Sequence, residues 1–199
     1  QILKGFDDWV NLNPAQPQLC LSVRTEFVRQ EESEKEGKKD TVRWSEAYRL
    51  NWEDFKSPVD RNSPFSAQSH CLFDYKAVPS FNNQVMVLTI SLFACFAKKS
   101  SWVQADKKQE SLLAHEQLHF DICELYIRQL RKKISGIKLD ILEADNQLKV
   151  LFEEAWKGYQ EAQNLYDEET EHGIIADKQE SWAVKISAQL SNLKEFARD

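Results

Sequence analysis

One pentapeptide constrains this chain more than any other feature: His115-Glu116-Gln117-Leu118-His119, an H-E-x-x-H sequence within a run of helical periodicity. On a helix, positions i and i+4 stack on one face, about 6 Å apart along the axis. Two imidazoles so placed can bind one Zn²⁺ at roughly 2.0–2.1 Å. Glu116 is near enough to take a proton from the water that such an ion activates. The arrangement implies a zinc hydrolase acting on peptides or proteins.

The 199 residues suffice for one domain with its own core, read here as mostly β over 1–103 and mostly α over 104–199. A net charge of −6 argues against a general nucleic-acid binder. No apolar run reaches the roughly 18–20 residues that span a bilayer; Val85 to Ala97 comes nearest and is rich in β-formers. The first residue is Gln1, which suits a mature chain freed of a signal peptide, and hence a periplasmic or secreted protein. Cys20, Cys71, Cys95 and Cys123 are scattered with no C-x-x-C pair, so buried small hydrophobes are favoured over disulfides.

Leu19, Leu21, Val23, Thr25 and Phe27 alternate with polar residues or cysteine, the period of a half-buried strand. Arg29 to Asp40 is densely charged and reads as a hairpin loop, after which Thr41 to Leu50 would pair back on the first strand. Ser69 to Val78 predicts another strand, Pro79 to Asn83 a turn, and Gln84 to Ala97 a central strand covered on both faces. The second half changes period. Asp106 and Gln109 have capping-box spacing, and a helix is expected from about Lys107 to Ile134, stopped by Ser135-Gly136. Ile141, Leu148, Phe152, Ala155, Tyr159, Ala162 and Tyr166 mark a second amphipathic helix, broken at Thr170 to Gly173; a third runs near Ser181 to Ala197. Strands followed by helices make an α+β protein with an antiparallel or mixed sheet. Such an order suits a zincin, whose motif helix packs against a sheet with a substrate-binding edge strand.

A catalytic zinc keeps three protein ligands and one open position. His172, beside the permissive Gly173, is one candidate for the third ligand. If the two long helices form a tight hairpin about Gly136, the residue facing n is roughly 271 − n, which sets Glu153 or Glu154 opposite the histidines instead. His70 reads as an ordinary strand histidine. Cys123 lies roughly 12 Å beyond His115, too far for one ion.

The chain resembles a bacterial family of unknown function whose members are expected to be secreted or periplasmic zincin metallopeptidases. The likeness runs from about Leu50 to Trp182. It rests on Leu50-Asn51-Trp52-Glu53-Asp54-Phe55, Ser63-Pro64-Phe65-Ser66-Ala67, Ser101-Trp102-Val103, Leu113 to Ile122 with its H-E-Q-x-H-F-D-I form, and Tyr166-Asp167-x-x-Thr170-x-His172-Gly173. Leu118 stands where many relatives have Gly. The resemblance implies zinc-dependent peptide hydrolysis and favours His172 as third ligand, because that histidine belongs to the second motif. Glu116 would be the base and Tyr166, on residue type, an oxyanion donor. Two other outcomes remain open at this level: a zinc-stabilised binding or scaffold protein without turnover, and a zinc hydrolase of a non-peptide amide.

Overall fold

The computed structural model describes residues 22–28, 40–82, 85–140 and 142–198. Strand β5 (Val85–Ala97) is the spine of a four-stranded mixed sheet. Its Val-, Ile-, Thr- and Phe-rich sequence suits a pleated, covered surface, and its last six residues are all buried. Strand β4 (Cys71–Asn82) pairs antiparallel along one whole edge, from Cys71 opposite Phe96 to Asn82 opposite Val85. The other edge is shared. Strand β1 (Ser22–Phe27) lies parallel to Val85–Ile90, and β2 (Thr41–Arg43) antiparallel to Cys95–Ala97. A separate two-stranded ladder joins β3 (Ala67–Gln68) to β6 (Trp102–Val103).

Three helices follow: α1 (Glu110–Gly136), α2 (Ala144–Thr170) and α3 (Ala176–Asn192). Helix α1 is central, between the sheet and the other two helices, and about half of its residues are buried. Among the described residues, no helix is long and apolar enough to cross a membrane.

The α+β order and the mixed sheet agree with the sequence reading; several details differ. Only Thr41–Arg43 of the second expected strand is extended, and it pairs with β5 rather than β1, because β5 has two edges to cover. Strand β4 continues through Pro79, which an edge strand accommodates because one side of its backbone needs no ladder donor. The capping box at Asp106 and Gln109 does not form: Ala105–Lys107 is a short 3-10 turn, and α1 begins at Glu110 with Gln109 as N-cap. The last helix starts earlier than expected, at Ala176. Cys71, Cys95 and Cys123 are buried free thiols, and burial pushes all three upward in pKa. Leu19, Cys20, Leu21, the charged stretch 29–39 and Ile141 lie outside the described residues.

The gap between β1 and β2 is closed by a side chain. Ile90 O accepts from Val28 N at 2.9 Å and Ala94 O from Trp44 N at 3.0 Å. Between them, Leu92 O accepts from Arg131 Nε and Nη2 at 3.1 and 2.6 Å. Arg131 Nη1 also donates to Glu124 Oε1 and to Phe196 O. Arg128 joins the same carboxylate at 2.9 Å and donates to Leu190 O. Glu124, Arg128 and Arg131 are buried, so this network fastens α1 to the sheet and to the end of the chain. Arg131→Met would orphan Leu92 O and Phe196 O and leave Glu124 with one partner. The expected loss is about 3–5 kcal/mol of stability, read as a lower urea midpoint at unchanged slope.

Candidate metal centre

The helical repeat places Leu112, His115, Glu116 and His119 on one face of α1, all lining a cleft of about 1230 Å³. The opposite face of the same motif has a mechanical task. Gln117 Oε1 accepts from Leu50 N at 2.8 Å, and Asp121 Oδ1 accepts from Trp44 Nε1 at 2.6 Å, Gln117 Nε2 at 2.8 Å and Arg49 Nη1 at 3.3 Å. These bonds clamp the chain before Asn51 to α1 and so fix the rotation that presents the histidines to the cleft.

Helix α2 supplies the third group. Asp167 Oδ1 lies 3.1 Å from His115 Nε2 and 3.0 Å from His119 Nε2, and the two Nε2 atoms are 3.1 Å apart. The result is a nearly equilateral triangle of ligand atoms, the one such group among the described residues able to hold a metal ion. A tetrahedral ion with bonds of roughly 2.0–2.1 Å spaces its ligands about 3.3 Å apart, so the triangle needs only slight expansion.

The outer ring nitrogens decide the tautomers. His115 Nδ1 faces Gln179 Oε1 at 3.2 Å, and His119 Nδ1 faces Gln163 Oε1. Gln163 Nε2 donates to His119 O at 2.9 Å, which fixes that amide's orientation; Gln179 Oε1 also accepts from the Tyr166 hydroxyl at 2.6 Å. Both Nδ1 atoms therefore act as donors, and both Nε2 atoms turn lone pairs toward a carboxylate. Three acceptors converging at this distance need a cation. Protons meet part of that need: burial alone would lower His119, but hydrogen bonding to Asp167 and the field of Glu116 outweigh it and raise its pKa. Burial would raise Asp167, yet the two imidazoles hold it well below the usual carboxylate range.

Glu116 is 3% exposed, and its Oε2 is buried without a hydrogen-bond partner. An orphaned carboxylate oxygen beside such a triangle suits a group awaiting a ligand or water.

The structure separates the other candidates. Glu153 and Glu154 are exposed and paired with Lys149 and Lys133, away from the cleft. The hairpin arithmetic fails because α2 begins only at Ala144, after a connection beyond Gly136. His115 with Asp167 and His119 with Gln163 each sum to 282, so the facing residue is 282 − n. The shift of eleven from 271 is about three helical turns. Tyr166 is buried behind His115, stacked on it at 4.7 Å between centroids, and its hydroxyl is spent on Gln179 and His115 O. It orients the imidazole and does not reach the cleft as an oxyanion donor.

His172 reaches the rim of the cleft but not the triangle. Its Nδ1 is 3.5 Å from Asp167 Oδ1, its ring rests on Phe65, and its side chain is 50% exposed. It sits in a turn of three consecutive left-handed residues, Glu171 (φ 47°), His172 (φ 55°) and Gly173 (φ 84°). Thr170 Oγ1 pins that turn by accepting from Gly173 N and donating to Tyr166 O. Gly173 is doubly required, since a Cβ there would also come within 3.0 Å of His115 Cβ and Cγ.

The sequence reading assigns no role to Asp167, Gln163 or Gln179, although Asp167 lies within the second motif. The i, i+4 spacing of Gln163 and Asp167, mirroring His115 and His119, was a usable signal. Gln179 comes from α3 and had none.

Residues 94–173 match the model of a family described as bacterial protein of unknown function (DUF922). The matched span contains both motifs and is narrower than the Leu50 to Trp182 expected from sequence. No curated protein and no solved structure matches the chain.

Two outcomes follow from this geometry. In zinc titrations, Asp167→Ala should weaken binding by more than about 100-fold, beyond the roughly 10–100-fold typical of a supporting contact. His172→Ala should stay within that range, and Glu153→Ala and Glu154→Ala should match the parent. Gly173→Ala should displace the His115 ring, costing about 1–2 kcal/mol of stability from the left-handed backbone alone and roughly 10–100-fold in zinc affinity.

Proposed function

We propose that this protein is a zinc-dependent hydrolase of peptide bonds with a zincin-like arrangement, using His115, His119 and Asp167 as metal ligands and Glu116 as general base. The observation that carries the reading is the convergence of two imidazole lone pairs and a carboxylate oxygen on one point, next to a buried carboxylate with an unpartnered oxygen. Two nitrogens and one oxygen in a closed triangle suit zinc, and three protein ligands leave a fourth position open. When bound there, zinc supplies a Lewis acid that acidifies water and polarises a carbonyl.

The chain's own residues do the rest. Glu116 accepts the proton of the attacking water and returns it to the leaving nitrogen. Gln163, Gln179 and Tyr166 hold the rings in one tautomer and one orientation. His172 stands outside the ligand set, half exposed on the substrate side of Asp167.

The cleft also offers a place for extended backbone. Ala67 opposes Val103, and Gln104 N donates to Ser66 O at 2.8 Å. By antiparallel alternation, the N–H and C=O of Ala67 point away from β6. Ala67 and its neighbours line the cleft, so a polypeptide can pair with this free edge.

The test is Glu116→Gln, which keeps the side chain's shape but removes its basicity. Zinc stoichiometry should stay near one per chain while turnover of a mixed peptide library falls by at least 10²–10⁴-fold, the range of general-base catalysis. Activity within a few-fold of the parent would remove Glu116 from this role. Zinc without any turnover in the parent would favour the scaffold reading.

A further inference from the structure

The cleft lining is mixed along α2, where Trp156 and Tyr159 stand among Gln160, Glu161 and Asn164. Exposed apolar side chains border the cleft outside α2 as well. Ile174 is 77% exposed, the most exposed large hydrophobic residue among those described. Phe65 is 39% exposed and rests on the His172 ring at 4.5 Å, and Leu112 lines the same cleft one helical turn before His115 and Glu116. Ile174 is held out in water by the pinned left-handed turn that precedes it. Such a turn costs energy, and it leaves an apolar side chain at the mouth of a cleft where burial would be favourable.

We infer that Phe65, Leu112 and Ile174 form an apolar subsite, and that the cleft selects chains carrying an aliphatic or aromatic side chain close to the reacting bond. The inference rests on the peptide-hydrolysis reading of the same site. Leu112 is about 4.5 Å along the helix from His115 and about 10 Å from His119, roughly 7–8 Å from their midpoint, and an extended chain advances about 3.3 Å per residue. The selected side chain is therefore within about two residues of the bond that breaks. Closing an aliphatic side chain against three apolar walls corresponds to about 10- to 100-fold in affinity.

The test uses the zinc-loaded full chain, with Ile174→Asp and Phe65→Ser as variants. Both residues are exposed enough for the fold to survive, which thermal melting and zinc stoichiometry check. In a positional library of fluorogenic peptides, one position within two residues of the cut should favour Leu or Phe over Gly by about 10-fold or more. Ile174→Asp should reduce that preference to about 2-fold. Cleavage with no apolar preference, or a preference that survives both substitutions, overturns the subsite and leaves the hydrolase reading intact. If no peptide is cut, N-acetyl-leucine hydroxamate and N-acetyl-glycine hydroxamate still probe the site. Binding of the leucine compound about 10-fold tighter, lost in Ile174→Asp, supports the subsite while the peptidase reading fails; equal affinities overturn the subsite.

Discussion

The structure depends on the register between its two long helices. With His115 facing Asp167 and His119 facing Gln163, a carboxylate and an amide oxygen meet two imidazoles from across the helix pair. Moving α2 by one residue would turn both partners away, since each step rotates a helical side chain by about 100°. Register is kept by close fits rather than by one strong bond. Gly158 lets Tyr126 approach to 3.0 Å of where a Cβ would be, and Tyr166 stacks on His115. The α2 C-terminal turn is then folded down onto the same ring by Gly173.

The candidate metal site is strained by its own electrostatics, and the rest of the molecule supports that strain. Three acceptors held about 3 Å apart repel one another unless a cation joins them. They stay together because the helices bearing them are anchored elsewhere. Helix α1 is fixed to the sheet through Arg131 and Leu92 O, to α3 through Arg128 and Leu190 O, and to the 44–50 segment through Gln117 and Asp121. A ligand set assembled in advance loses little freedom when an ion arrives, which favours tight binding.

Much of this was legible in the sequence, and the limits have physical causes. The periods of 2 and 3.6 separated β from α halves because each reflects which side of an element is buried. H-E-x-x-H gave His115, Glu116 and His119 because their relation is local, set within one turn of helix. The third member of the candidate triad, Asp167, is not local. It required the length of the connection after Gly136, and a turn that looked tight from Ser135-Gly136 proved longer, displacing the facing residue by three helical turns. Tyr166 suits an oxyanion donor by residue type, but burial behind His115 gives it an orienting task. The pairing of β2 was missed for a similar reason, since strand partners are decided by which edges remain uncovered and not by order along the chain.

The central claim is the identity of the three ligands. X-ray absorption at the zinc edge of the zinc-loaded protein tests it directly, because imidazole rings leave an outer-shell scattering signature that carboxylates lack. The account predicts a four-atom nitrogen and oxygen shell at roughly 2.0–2.1 Å with the amplitude of two imidazoles. A signal of three imidazoles would place His172 in the ligand set and Asp167 outside it, and would contradict the account.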